Sequence, residues 1–223
     1  MIITTEKVMR PRDTFDHYPT PDPVAGSMCS YVNPDSRGVE YILDPGAGTG
    51  VFGRAARARW PGAVIVGTDI RALSRPRAYN FWYSGATVAY DFIANPECAP
   101  IFDLVIGNPP YGKIGRYKVR NAAELFVRKS LELTRDGGIV AFLLRLAFLE
   151  GQDRGADFWQ QYPPEHVKVC SERVSYTGDG RTDATAYAFF YWRKGWHGLT
   201  TIDWDVPAAL LSRPKQLTLE GIR

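Results

Sequence analysis

The sequence predicts an α/β fold: a mostly parallel sheet with helices on both faces. Three observations predict it. Apolar, β-rich runs alternate along the chain with helical or loop-like stretches, one early strand feeds a glycine-rich turn that opens a helix, and three successive strands each deliver an Asp at the carboxyl end. In such a sheet those strand ends share one edge, where open α/β folds hold their ligands.

Residues 1–15 read as an irregular leader. Thr20-Pro21 reads as a helix start, with Thr as N-cap and Pro at the first helical position, and the helix runs to about Tyr31. Val39–Asp44 is a strand, the glycine turn follows it, and Val51–Arg59 is a helix closed by Trp60-Pro61-Gly62. A second strand covers Ala63–Asp69, then come a short Arg-rich helix and a third strand near Thr87–Tyr90 that delivers Asp91. Phe102–Gly107 has the pattern of a buried strand and ends at Asn108-Pro109-Pro110-Tyr111; Ala122–Leu133 is an amphipathic helix stopped by Asp136-Gly137-Gly138. Ile139–Leu146, Val167–Val174 and Ala186–Trp192 complete the strands, the last two joined by the turn-rich Thr177–Arg181.

Composition narrows the function classes. The chain has 223 residues, 45% apolar and 23% charged, which fits one folding unit with a sizeable core and argues against long disorder or a disulfide scaffold. Cys29, Cys98 and Cys170 are widely spaced, with no CxxC pair and no His at metal-ligand spacing, so a reduced cytoplasmic protein without a metal is expected. No uncharged run reaches the length of a membrane span, and no membrane partner is expected. Formal charge is only +3, yet Tyr111–Lys129 holds six basic residues against Glu124, a local +5 that leaves −2 for the remainder. That excess is either a solvated loop and helix face or a surface for phosphates.

Asp44-Pro45-Gly46-Ala47-Gly48-Thr49-Gly50 leaves a strand and enters a helix, so its glycines allow a tight turn and close backbone approach by a ligand. The dinucleotide fingerprint is G-x-G-x-x-G; here the third Gly comes one residue early and Asp44 stands two before the first, which favours a nucleoside with a cationic amino-acid tail over a pyrophosphate. Asp69 follows Gly50 by nineteen residues, where a carboxylate can accept ribose hydroxyls. S-adenosylmethionine is the cofactor that fits.

The order Asp-Pro-Gly-x-Gly-Thr-Gly, strand-end Asp69, Asp91-Phe92, then Asn108-Pro109-Pro110-Tyr111 resembles the S-adenosylmethionine-dependent amino-methyltransferases, especially the N6-adenine DNA enzymes, over roughly residues 15–194. Asp16–Pro21 resembles the segment that precedes the glycine loop in that family. Arg145–Gln152 and Ser175–Asp183 resemble small phage or prophage-encoded members. The resemblance implies a Rossmann-like class I methyltransferase fold of seven strands, the last inserted antiparallel, with 16–194 as catalytic core and 195–223 as an extension. Family members that read long sites carry a separate target-recognition domain, and as a departure from them none is expected here. The resemblance further implies that Asp44, Gly46, Gly48 and Gly50 face the methionine part, that Tyr18 and Thr20 help hold its carboxylate, that Asp69 binds ribose, and that Ile70, Asp91 and Phe92 surround the adenine. DNA is the expected partner of a monomer or homodimer.

The tetrad has its own chemistry. An exocyclic amino group on an aromatic base is a poor nucleophile because its lone pair is delocalised into the ring. Two acceptors aimed at its two N–H bonds redirect that lone pair toward a sulfonium methyl. Asn108 offers its side-chain oxygen and Pro109 its carbonyl, on a loop that the Pro109-Pro110 pair keeps extended, while Tyr111 offers a ring for stacking. Lys113, Arg116, Lys118 and Arg120 follow directly and suit phosphates beside a flipped base. RNA adenine and protein glutamine present similar planar nitrogens and remain open as substrates, as does a catalytically silent cofactor-binding module.

Overall fold

The structure, a computed structural model, describes residues 19–85, 101–111, 121–172 and 185–206. Among the described residues eight strands form one sheet: β1 (Tyr41–Pro45), β2 (Val64–Asp69), β3 (Phe81–Ser84), β4 (Phe102–Gly107), β5 (Thr134–Arg145), β6 (His166–Cys170), β7 (Tyr187–Arg193) and β8 (Thr201–Asp205). Their order is β3-β2-β1-β4-β5-β7-β6-β8, and β7 runs antiparallel to both its neighbours while every other pairing is parallel. The parallel strands therefore end on one edge, which carries Asp44, Asp69, Asn108 and Arg145.

Side chains alternate faces along each strand, and the core divides accordingly. Ile42, Ile65, Leu104, Ile106, Ala141 and Leu143 pack under helices α1 (Asp22–Ser30) and α2 (Val51–Arg59), against Met28, Cys29, Val51, Phe52 and Ala56. Leu43, Val105, Val140, Phe142 and Leu144 pack on the other face under α3 (Ala122–Leu133), against Ala123, Phe126, Val127 and Leu131. Phe148, Phe158, Phe190 and Trp192 extend that second cluster, with Phe148 edge-on to the other three rings. Full burial of each large apolar side chain favours folding by about 1.5–3 kcal/mol, so both faces are needed to hold the strands in line.

Several expected boundaries shift. Helix α1 begins at Asp22 with Pro21 as its N-cap and no side-chain cap, so Thr20 lies one residue ahead of the cap and its hydroxyl is spent elsewhere. The Arg-rich stretch after β2 is not helical: residues 71–80 run as turns and coil, because Pro76 constrains Arg75 and Arg71 turns back to Asp69. The third strand is Phe81–Ser84, pairing with Val66–Asp69; the expected strand at 87–90, with Asp91 and Phe92, lies outside the described residues. Tyr18, Lys113, Arg116, Lys118 and Arg120 lie outside them too. Strand β5 begins at Thr134, through the expected glycine stop. The eighth strand was not expected. It pairs with β6, and Asp203 ties it there through Lys168 at 2.7 Å and His166 at 2.9 Å.

Candidate functional site

Gly46, Gly48 and Gly50 all adopt positive φ (72°, 57° and 82°), a region that L side chains rarely enter, and this lets the chain turn from β1 into α2 within five residues. The turn is pinned by backbone bonds: Ala47 N–H donates to the Thr68 carbonyl at 2.8 Å and Gly50 N–H to the Ala47 carbonyl at 2.8 Å. Gly48 N–H donates to Asp69 Oδ2, also at 2.8 Å, so the second strand-end carboxylate braces the loop that follows the first. Asp69 is 3% exposed, and Arg71 pairs with its carboxylate at 3.0 Å. Ile70 is half-buried against the α3-side cluster.

Asp44 is fully buried. Tyr79 donates to its Oδ2 at 2.5 Å, while Oδ1 has no hydrogen-bond partner among the described residues. Burial is the main cause that pushes the Asp44 carboxyl up to about 7; the Tyr79 hydrogen bond opposes it, the Asp69 charge adds to it, and the Gly53 N–H opposes it. The bare oxygen faces β4, where a Cβ on Gly107 would stand 3.2 Å from it. Strands β1 and β4 are neighbours, with Leu43 opposite Val105, so Asp44 and Asn108 leave adjacent strands on the same edge. An unpartnered buried acceptor is costly unless something supplies a donor, and a cationic amine fits that need.

The tetrad is held by side chains that satisfy one another. Asn108 Nδ2 donates to Thr20 Oγ1 at 3.0 Å, which brings the segment ahead of α1 onto the end of β4. The Tyr111 hydroxyl bonds to Asn108 Oδ1 and lies 3.3 Å from the Leu143 carbonyl. Pro109 is buried; Asn108, Pro110 and Tyr111 are half-buried. The Arg145 guanidinium sits over the Tyr111 ring at 5.0 Å, and Tyr187 lies 6.1 Å from it at a tilt of 47°. A planar aromatic surface thus stands beside an amide oxygen.

The fold therefore brings Thr20, Asp44, Gly46, Gly48, Gly50, Asp69, Ile70 and the tetrad to one edge. Sequence reasoning missed Tyr79 and the pairing of Arg71 with Asp69. Among the described residues no group of three or more His, Cys, Asp or Glu is arranged to hold a metal, and no helix is long and apolar enough to cross a membrane. Cys29 and Cys170 are free thiols, each pushed up to about 12, mainly by burial.

Solved structures place this architecture among the class I S-adenosylmethionine-dependent methyltransferase folds. A Listeria monocytogenes protein described as such an enzyme matches 89% of this chain and 68% of its own, at a TM-score of 0.61 and 16% identity. The M protein of the type I restriction enzyme EcoKI matches 83% of this chain and 45% of its own, at a TM-score of 0.56 and 18% identity. At those identities the likeness is one of fold. Residues 84–169, which include the tetrad, match the model of the Eco57I restriction-modification methylase family. The type II methyltransferase M.TthHB8I of Thermus thermophilus is 31% identical over 134 residues, covering 48% of this chain and 30% of that protein. Both matches agree with the resemblance to DNA methyltransferases carried by the motifs.

Proposed function

We propose that this chain transfers a methyl group from S-adenosylmethionine to the exocyclic N6 of adenine in DNA. The observation that carries the reading is the pairing of two half-sites on adjacent strands: a glycine loop with a buried, unpartnered carboxylate oxygen, and an amide oxygen on a proline-stiffened turn. When bound, S-adenosylmethionine supplies a methyl group activated by its sulfonium. The chain's own groups do the rest by orientation and by acceptors placed where charge develops.

Asp44 and the glycine backbone receive the amino-acid part, with Thr20 and Tyr18 beside it. Asp69 receives the ribose hydroxyls once Arg71 shifts aside, and Ile70, Asp91 and Phe92 bound the adenine. Asn108 Oδ1, which the Tyr111 hydroxyl engages, accepts one amino N–H of the base, and the Pro109 carbonyl accepts the other. The Tyr111 ring stacks on the target base. That base reaches the turn only by leaving the duplex, at a cost of a few kcal/mol, and Lys113, Arg116, Lys118 and Arg120 hold the flanking phosphates. The setting is the cytoplasm, as a monomer or homodimer, with no membrane or metal partner.

Incubation with methyl-labelled S-adenosylmethionine and DNA, followed by digestion to nucleosides, is expected to yield labelled N6-methyldeoxyadenosine. Label in RNA or polypeptide with none in DNA would move the activity to those substrates. Label in none of them would leave a cofactor-binding module.

A further inference from the structure

Tyr79 belongs to none of the motifs, yet the site is built around its ring. A Cβ on Gly53 would come within 2.3 Å of it, one on Gly67 within 2.7 Å and one on Gly50 within 2.9 Å. Missing side chains at the start of α2 and on β2 therefore form the slot that the ring fills. Its hydroxyl accepts from Gly53 N–H at 3.2 Å and donates to Asp44 Oδ2 at 2.5 Å. Gly53 is the third residue of α2, whose N-cap is Gly50 and has no side chain to offer, so the phenol occupies the place of a cap. One group thus joins three parts: the helix start, the end of β1 and the floor of β2.

We propose that Tyr79 is the positioning residue of the methyl-donor site: it fixes the Asp44 carboxylate so that Oδ1 points toward β4 as the acceptor for the donor's α-ammonium. The proposal rests on the methyltransferase reading and deepens it. A carboxylate with one oxygen tied to a phenol has lost most of its rotational freedom, so its other oxygen is presented in one direction. Buried and unpartnered, that oxygen gains more from a cationic donor than an exposed one would.

Tyr79→Phe keeps the ring in its slot and removes only the hydroxyl. Calorimetric titration with S-adenosylhomocysteine, which carries the amino-acid tail, is expected to show about tenfold weaker binding, the scale of one hydrogen bond to a charged group. Binding of 5′-methylthioadenosine, which lacks that tail, is expected to be unchanged.

Between about pH 5 and about pH 8, S-adenosylhomocysteine affinity in the wild type is expected to rise as Asp44 ionises. Asp44 is faced by Asp69 from β2, by the neutral Cys29 thiol from α1 and by Tyr79, while Arg54 of α2 acts on the phenol. Losing the phenol removes a group that favours the ionised carboxyl, so the rise moves to higher pH in Tyr79→Phe.

Equal losses for both nucleosides, or an unmoved pH profile, would reduce Tyr79 to a packing residue and overturn the proposal. Wild-type protein that binds neither nucleoside would bring down the methyl-donor reading and the proposal together.

Discussion

The two ends of the sheet are built on opposite terms. At the amino ends of the parallel strands, Arg135 of β5 makes a two-pronged contact with Asp35 at 2.9 and 3.0 Å and also pairs with Asp103 of β4. Asp103 in turn accepts from the backbone N–H groups of Glu40 and Tyr41 at 2.8 Å each, and Arg37 joins Asp35 at 3.1 Å. Each of these carboxylates has its partners. At the carboxyl ends, Asp44 is buried with one oxygen bare, and the Asn108 oxygen is engaged by the ring hydroxyl of its own tetrad. One end locks β1, β4 and β5 together; the other keeps a buried Asp44 oxygen without a partner among the described residues.

The largest expected effect lies at the carboxyl end. Asn108→Ala should slow methyl transfer on the order of a hundredfold, as removal of one charge-stabilising group does. The lost bonds to Thr20 and to the Tyr111 hydroxyl should lower stability by about 2 kcal/mol. Single-turnover rates beside urea unfolding would check it; an unchanged rate would take Asn108 out of the chemistry.

Arg135→Ala reverses the pattern. It leaves Asp35 with Arg37 and Asp103 with the Glu40 and Tyr41 N–H groups, and the urea midpoint of unfolding should fall, by less than for a wholly buried pair because these charges keep partners and are partly exposed. Methyl transfer measured well below the unfolding temperature should be retained. A stable but inactive variant would show that the two ends are coupled rather than separate.

Acid separates the ends by sign. Hydrogen bonding to Arg135 is the main cause that holds the Asp35 carboxyl well below its ordinary value of 3.8, so its stabilisation is present above that value and is lost as pH falls below it. Asp44, raised to about 7, binds its proton more readily in the folded chain, so its contribution grows as pH falls from about 7 toward 3.8. Urea unfolding across this range should show Asp44→Asn flattening the upper slope and Asp35→Asn the lower one. Both slopes surviving in both variants would refute the assignment.

What the sequence disclosed follows the same division. The strand–glycine–helix start, the strand-end acids and the tetrad are local patterns, so Asp44, Asp69 and Asn108 were legible from their neighbours in the chain. Tyr79 was not, because its role is written in the absence of side chains at Gly50, Gly53 and Gly67, three positions that become one slot only after folding. Strand β8 was missed for a related reason: its Ile202 and Trp204 are exposed, and Asp203 finds its partners, His166 and Lys168, thirty-five or more residues away. The Arg-rich stretch misled because helix-favouring composition lost to Pro76 and to the pull of Asp69 on Arg71.

The smallest expected effect is the most pointed, because it adds a single methyl group between the two half-sites. In Gly107→Ala the new Cβ stands 3.2 Å from Asp44 Oδ1, 3.5 Å from the Pro45 carbonyl oxygen and 3.7 Å from Phe142, so only the carboxylate is crowded. Tyr79 holds that carboxylate from the far side, and it can yield by only a few tenths of an ångström. Stability should fall by about 1 kcal/mol, at the low end of overpacking costs. The methyl also shields the bare oxygen, so S-adenosylhomocysteine should bind several-fold more weakly while 5′-methylthioadenosine is unaffected. If both nucleosides bind Gly107→Ala as they bind the wild type, Oδ1 does not face the ligand, and the bare oxygen is a packing cost of the fold rather than part of the site.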